Sequence, residues 1–173
     1  MEPVTSLALK SFLRKLGERI PHPATLYLLG GSALCLLGSP RETLDVDYSL
    51  ETGAQEIEEI INALATELKM DLEAVPLAEF IPLPPDSGSR RRFIGHYGRL
   101  EVYIFDLYSI ALSKIARGFE SDLEDVQFLL NQNLINLREL EGYFQTVLPD
   151  ARHLDIDPQE FQAYFDELKR HLK

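Results

Sequence analysis

Asp45 and Asp47 stand one residue apart in a segment whose polar and apolar residues alternate strictly. Because successive side chains of a strand point to opposite faces, the two aspartates are predicted to share one face. The other face is then apolar and carries Leu44, Val46 and Tyr48. Two carboxylates side by side on one strand repel each other, and a cation between them relieves that repulsion. The pattern therefore predicts a strand with a metal-binding face.

A glycine-rich turn precedes this strand. Residues 26–29 form an apolar run short enough to be one buried strand, and Gly30, Gly31 and Ser32 interrupt it. Residues 33–37 are predicted to form a short helix, which Gly38, Ser39 and Pro40 end, because glycine suits a C-cap and proline cannot continue the turn. The order is thus strand, glycine turn, short helix and aspartate strand.

The residues Gly31-Ser32, followed by Asp45-Val46-Asp47, resemble the signature of the polymerase-β-type nucleotidyltransferase superfamily. The wider pattern Arg41-x-Thr43-x-Asp45-x-Asp47 is similar to that of its small bacterial and archaeal members. These include the nucleotidyltransferase-like toxins of abortive-infection and toxin–antitoxin systems. The resemblance covers most of residues 25–130. It implies a Mg²⁺-dependent enzyme that transfers a nucleoside monophosphate group from a nucleoside triphosphate to an acceptor hydroxyl.

This resemblance implies roles for individual residues. Two Mg²⁺ ions about 3.5–4 Å apart can clamp the attacking and leaving oxygens, and Asp45 and Asp47 are the expected metal ligands and catalytic carboxylates. The turn residues would let the triphosphate approach the backbone and would hold its phosphates. The expected substrate-binding residues are Gly30, Gly31, Ser32, Arg41, Thr43, Lys114, Asp122 and Asp125.

The last three of these residues lie in the C-terminal part of the chain. Lys114 followed by Asp122-x-x-Asp125 resembles the toxin-like subgroup, in which the lysine is expected to contact the triphosphate. An aspartate there is expected to hold or orient a neighbour. Both aspartates also fit the start of a helix, where an acidic side chain suits the helix dipole, and this alternative stays open.

The family's third metal carboxylate comes from a later strand, where Glu101 and Asp106 are the two candidates. Apolar residues alternate with Glu101 in the segment 99–105, which predicts that Glu101 lies on the same sheet face as the two aspartates. Asp106 directly precedes a helical pattern over Leu107–Arg117, and capping that helix explains it without a metal. We therefore expect Glu101 to be the third metal ligand and catalytic carboxylate.

The elements around these motifs follow the order helix, strand, helix, strand, helix, strand, hairpin and several helices. This order predicts an α/β (α+β) fold with a small mixed β-sheet nucleotidyltransferase core, flanking helices and a C-terminal helical tail. Residues 1–106 are predicted to be the core. Residues 107–173 are predicted to be a helical extension that closes one side of the cleft, as part of one structural unit.

Composition limits the partners and the compartment. The formal net charge of −11 argues against general binding of nucleic acid, although Arg90-Arg91-Arg92, helped by Arg99, leaves a local RNA site open. No apolar run approaches the roughly 20 residues that span a membrane. Residues 1–9 lack the features of a signal peptide, and one cysteine, Cys35, cannot form an internal disulfide. These features predict a cytoplasmic protein.

The sequence leaves several hypotheses open for the function and for the partners. The first hypothesis is an active nucleotidyltransferase whose acceptor is a protein, an RNA or a small molecule. The second is a catalytically weak or inactive module of the same fold, which acts as a regulatory subunit of a toxin–antitoxin-like system. The third is an unrelated structural domain. A partner protein or a second copy of the chain also stays open.

Overall fold

A mixed sheet of five strands carries the two aspartates. The strands are β1 (Ala24–Leu29), β2 (Asp45–Leu50), β3 (Asp71–Ala74), β4 (Arg92–Tyr97) and β5 (Leu100–Ile104). Their order in the sheet is β3-β2-β1-β5-β4. The pairs β1–β5 and β2–β3 are parallel, whereas β1–β2 and β4–β5 are antiparallel. The predicted mixed sheet with flanking helices is confirmed.

This computed structural model describes residues 3–51, 55–77 and 81–172. The chain divides into two compact units. The sheet unit contains Met1–Val75 and Arg92–Phe105, and the helical unit contains Pro76–Arg91 and Asp106–Lys173. No helix in the described part of the chain is both long and apolar enough to cross a lipid bilayer.

Three helices belong to the sheet unit: α1 (Ser6–Arg19), α2 (Gly30–Leu36) and α3 (Gln55–Leu68). The Thr5 hydroxyl caps α1 by accepting a hydrogen bond from the backbone N–H of Ala8 at 3.0 Å. Near the other end of α1, Gly17 lies directly against the turn between β4 and β5. A Cβ atom on Gly17 would lie only 1.6 Å from the carbonyl oxygen of Tyr97, so only glycine allows this close packing.

One face of the sheet forms the core of this unit. It contains Val46 and Tyr48 of β2 together with the apolar residues of β1 and β5, Leu26, Leu28, Leu100, Val102 and Ile104, all of them buried. The Tyr48 hydroxyl donates a hydrogen bond to Glu58 of α3, and burial raises the pKa of Tyr48. Leu44 was expected on this face, but it is 56% exposed because β2 begins only at Asp45.

The helical unit contains four α-helices among the described residues: α4 (Leu107–Arg117), α5 (Glu120–Asn131), α6 (Leu137–Val147) and α7 (Pro158–His171). Two 3₁₀ segments, Ser87–Arg90 and Leu148–Leu154, accompany them. The ring of Phe144 packs against Phe161 and Phe165, with centroid distances of 4.8 and 4.5 Å. These buried rings join α6 to α7.

Candidate functional site

The predicted glycine turn, whose residues form the first turn of α2, lies next to the aspartate strand in the sheet unit. Leu29, the last residue of β1, is paired with Asp47 of β2. Gly30 follows with a φ of +60°, and a Cβ there would lie 2.7 Å from Oδ2 of Asp47. A Cβ on Gly31 would lie 2.8 Å from Oγ1 of Thr43. The two glycines therefore make the room in which the side chains of Asp47 and Thr43 approach the turn.

Three carboxylates converge beside this turn. Asp45, Asp47 and Glu73 each offer an oxygen, and these atoms all lie within 4.8 Å of one another. Glu73 joins the group because β3 runs parallel to β2 and pairs Glu73 with Asp47. Asp45 and Glu73 are exposed and Asp47 is half-buried. We name these three residues the carboxylate group.

Thr43 orients one member of this group. Its hydroxyl donates to the backbone oxygen of Asp45 at 3.1 Å and lies 3.4 Å from the carboxylate Oδ1 of Asp45. Arg41, two residues earlier, is half-buried, and its backbone N–H donates to the Ser39 hydroxyl at 3.3 Å. The expected phosphate-binding roles of Thr43 and Arg41 stay predictions.

The donor set fits a hard divalent cation. All three side chains offer carboxylate oxygens, the ligand type that Mg²⁺ prefers. Magnesium keeps several of its waters and so needs only a few protein ligands, and the solvent-exposed position of Asp45 and Glu73 leaves access for those waters. A divalent cation would also relieve the repulsion among three neighbouring negative charges. The carboxylate group can therefore hold a hard divalent cation.

Glu101 does not lie in this group. It shares the sheet face of the two aspartates, as the alternation of β5 predicted, because Thr25 pairs with Glu101 and Leu29 pairs with Asp47. These pairs are four residues apart along β1, or about 13 Å. The Glu101 carboxylate instead lies 3.7 Å from Nε2 of His96. The expected proximity of Glu101 to the aspartates is wrong, because alternation determines the face but not the position along the strand.

Asp106, the other candidate for the third metal ligand, belongs to the helical unit. Its carboxylate accepts hydrogen bonds from the backbone N–H groups of Tyr108 and Ser109, each at 3.2 Å, and so caps α4 as predicted. Arg90 binds the same carboxylate through two nitrogens, at 3.0 and 2.8 Å. This contact raises the pKa of the Arg90 guanidinium. Asp106 is 1% exposed, and these contacts account for its carboxylate without a metal.

Ser32, which directly follows Gly30 and Gly31, is completely buried. Its hydroxyl donates to the carbonyl oxygen of Leu29 at 2.9 Å. This hydrogen bond closes the turn from β1 into α2. The Ser32 hydroxyl thus has a structural partner here, and its expected contact with a phosphate stays a prediction.

Lys114, Asp122 and Asp125 lie together inside the helical unit. The Lys114 ammonium is 2.8 Å from Oδ2 of Asp125 and 4.0 Å from Oδ1 of Asp122. Arg117 binds both oxygens of Asp122, at 2.7 and 2.6 Å. Lys114, Asp122 and Asp125 are 6%, 0% and 3% exposed. We name the buried Lys114, Asp122 and Asp125, together with their exposed partner Arg117, the buried ion group.

Asp122 also has the helix-start role that was left open. It accepts a hydrogen bond from the backbone N–H of Phe119, the N-cap residue of α5, at 3.2 Å. An acidic side chain in the first helical turn that bonds back to the N-cap is a known stabilising arrangement. The expected contact of Lys114 with a triphosphate stays a prediction.

Glu73 is the member of the carboxylate group that the sequence did not predict. The predicted order of elements places a strand between the third helix and the hairpin, and β3 at Asp71–Ala74 confirms that strand. Asp71 and Glu73 alternate with apolar residues there, which was a signal for two further acidic residues on one face. The sequence held no sign that this strand pairs with the aspartate strand.

Comparisons with known proteins point to one class. The model of a family described as "Nucleotidyltransferase of unknown function (DUF6036)" matches residues 7–172. No curated protein matches the sequence. The crystal structure of an antigenic nucleotidyltransferase-like protein from Paracoccidioides brasiliensis is similar, with a TM-score of 0.52 and 17% sequence identity. The similarity covers 94% of this chain and 95% of that one, and at this identity it supports the fold alone.

Proposed function

We propose that this chain transfers a nucleoside monophosphate group from a nucleoside triphosphate to an acceptor hydroxyl. The chain belongs to the nucleotidyltransferase family whose model it matches. The family and the fold support nucleotidyltransferase activity in general. The convergence of Asp45, Asp47 and Glu73 beside the glycine turn is the observation that supports the more specific proposal.

In this proposal the carboxylate group holds magnesium. When bound, magnesium ions supply positive charge that stabilises the attacking and leaving oxygens of an in-line displacement. The Thr43 hydroxyl orients the Asp45 carboxylate by a hydrogen bond. Gly30 leaves room for the Asp47 carboxylate, because it has no side chain to displace it. Both supports act on the position of a carboxylate, which determines metal affinity.

The residues of the turn are proposed to receive the triphosphate. Gly30 and Gly31 carry no side chain to obstruct the approach of a phosphate to their backbone. Arg41 is the nearest arginine in sequence to the aspartates and supplies a positive charge for the phosphates. Lys114, Asp122 and Asp125 are retained as substrate-binding candidates on the sequence resemblance.

Transfer of a label from α-labelled ATP, GTP, CTP and UTP tests the proposal. Asp45→Asn, Asp47→Asn and Glu73→Gln should each lower transfer by more than about 100-fold, since even loss of a residue that only orients a metal ligand costs 10–100-fold. Each variant should keep the wild-type melting temperature.

Glu101→Gln is the matched control, because it changes a carboxylate on the same sheet face outside the carboxylate group. It loses only an exposed contact between the carboxylate and the His96 ring, so activity should stay at the wild-type level. Wild-type transfer by all three variants of the carboxylate group would contradict the proposal. Nucleotide binding without any transfer would favour the second hypothesis, a regulatory subunit of a toxin–antitoxin-like system.

A further inference from the structure

The two outermost strands of the sheet differ in whether a further strand can join them. β4 forms one edge of the sheet and β3 forms the other. The register of β4 against β5 shifts between Phe93 and Gly95, and such a bulge twists an edge strand away from further pairing. β3 instead keeps a regular register with β2 from Asp71 to Ala74. No strand lies beyond β3 among the described residues, so this edge is open to another strand.

The outer edge of β3 carries the backbone groups that a further strand would bond. Val75, directly after β3, donates its N–H to the carbonyl oxygen of Tyr48 in β2 at 2.8 Å. Along a strand, the N–H and C=O groups of successive residues point to opposite sides. Leu72 and Ala74 therefore direct their N–H and C=O groups away from β2. An extended polypeptide that joins a sheet edge bonds to groups of this kind.

A groove runs beside this edge on the core face of the sheet. Leu72 lies on that face because it pairs with Val46. The groove has a volume of about 840 Å³ and lies between β3 and the C-terminal half of α3. The apolar part of its lining is formed by Ala65, Leu68, Met70 and Leu72. The last three of these side chains are half-buried, so they offer apolar surface to the side chains of a strand bound at the edge.

The opposite face of β3 is acidic. Asp71 and Glu73 lie on the face of the two aspartates, because Glu73 pairs with Asp47, and both are exposed. A strand bound at the edge would place its own Cβ atoms about 5 Å from those of β3. Basic side chains match Asp71 and Glu73 at this distance, since opposite charges stabilise such a pair and like charges destabilise it. The two faces of β3 together favour a segment in which basic residues alternate with apolar ones.

The same charges argue against a second copy of β3 as the partner. Two antiparallel copies with Leu72 opposite Leu72 would place Asp71 opposite Glu73. With Leu72 opposite Ala74, Glu73 of one copy would lie opposite Glu73 of the other. Both registers put like charges directly opposite each other. A nucleic acid is disfavoured for a similar reason, because its phosphates are negative. The edge therefore favours a different, basic polypeptide.

We propose that the outer edge of β3 binds an extended segment of a partner protein, whose apolar side chains enter the groove and whose basic side chains face Asp71 and Glu73. Glu73 also belongs to the carboxylate group. A lysine or arginine beside it competes with a divalent cation for the same carboxylate. The bound segment should therefore lower metal affinity and, with it, nucleotidyl transfer. This consequence rests on the proposed function, whereas the binding itself does not.

Fluorescence anisotropy with a labelled peptide in which lysine and valine alternate tests the binding, in the absence of nucleotide and metal. A peptide of the same composition, with its lysines and valines in separate blocks, is the control for the pattern. It should bind at least about tenfold more weakly, because it cannot present lysines on one face and valines on the other. A peptide of alternating glutamate and valine should not bind.

A charge reversal on β3 tests the position of the site. Asp71→Lys should weaken binding of the lysine–valine peptide by about tenfold, since it replaces an attraction at the edge by a repulsion. Asp150→Lys is the matched control, because Asp150 is exposed, lies in the helical unit and gives the same change in net charge. It should bind as the wild type does. Unchanged melting temperatures should confirm that both variants fold.

Amide hydrogen exchange, followed by NMR, tests the pairing of backbone groups. The amides of Leu72 and Ala74 should exchange more slowly when the peptide is bound, because they gain hydrogen bonds. The amide of Val75 already donates to Tyr48 and should change little. In a separate titration, saturating Mg²⁺ should weaken peptide binding, and the peptide should inhibit nucleotidyl transfer by the wild type.

The inference is overturned if the alternating peptide does not bind, if the block peptide binds equally well, or if Asp71→Lys and Asp150→Lys lose the same affinity. Transfer by a wild type that binds no peptide would overturn this inference alone. Peptide binding that protects Leu72 and Ala74, in a protein without transfer, would support the edge site and contradict the proposed function. Peptide binding that Mg²⁺ does not weaken would overturn the proposed effect on the metal site.

Discussion

The carboxylate group and the buried ion group are both built from closely spaced aspartates, but they differ in solvent access and in charge. In the buried ion group, Asp122 and Asp125 are shielded from solvent and each meets a cation of the chain itself. In the carboxylate group, Asp45 and Glu73 are exposed and three negative side chains converge. The first group pairs its carboxylates with cations inside the protein, whereas the second offers exposed carboxylate oxygens to a cation from solution.

This difference shows why closely spaced carboxylates do not have one meaning. A buried charge is tolerated only when it is paired and hydrogen-bonded, so a buried aspartate implies a partner inside the protein. An exposed cluster of carboxylates on a strand destabilises the folded state less than a buried one, and it can bind or release an ion from solution. Burial thus separates an ion network with partners inside the protein from a candidate metal site that faces solvent.

Removal of Lys114 should produce the largest change. Lys114→Ala leaves Asp125 as a buried carboxylate without its ammonium partner at 2.8 Å, and we expect the free energy of unfolding to fall by about 3–5 kcal/mol. Lys10→Ala, at an exposed position of α1, is the control and should change stability very little. Urea denaturation of both variants provides the measurement. Equal stability of the two would show that the buried ion group is not a stabilising network.

Magnesium should bind the carboxylate group and should not bind the buried ion group. A ligand at 100 times its dissociation constant stabilises the folded state by about 2.7 kcal/mol, so saturating Mg²⁺ should raise the melting temperature of the wild type. Asp47→Asn should abolish this increase. Asp122→Asn should lower the starting melting temperature but keep the increase. The comparison between the two groups fails if both variants respond to Mg²⁺ in the same way.

A smaller change at the glycine turn sharpens the comparison. Gly30→Ala adds a methyl group 2.7 Å from Oδ2 of Asp47 at a φ of +60°, so it should cost about 1–2 kcal/mol and weaken Mg²⁺ binding. Gly38→Ala is the matched control, because its φ is +92° but no atom lies within 4 Å of the added carbon. Thermal unfolding with and without Mg²⁺ separates backbone strain from displacement of Asp47. If both variants bind Mg²⁺ normally, Gly30 does not position Asp47.

Several local features followed from the sequence alone. The helix over Leu107–Arg117 was predicted with its observed bounds, because Asp106 supplies an N-cap and Gly118 adopts the left-handed conformation that ends it. The shared face of Asp45 and Asp47 followed from strand alternation. The nucleotidyltransferase superfamily followed from the glycine and aspartate motifs, whereas the resemblance to the toxins stays a prediction. All of these depend on residues that are neighbours in the chain.

The members of each charged group were decided by tertiary structure. Glu73 joins the aspartates because β3 pairs in parallel with β2. Glu101 lies near the start of β5, level with Thr25 of β1, whereas Asp47 is level with Leu29 at the end of β1. The partners of Lys114 depend on how α4 packs against α5. Alternation determines the face of a strand, but strand order and register arise from contacts between residues far apart in sequence. The local pattern therefore predicts which residues can bind an ion, and the packing of distant elements determines which of them meet.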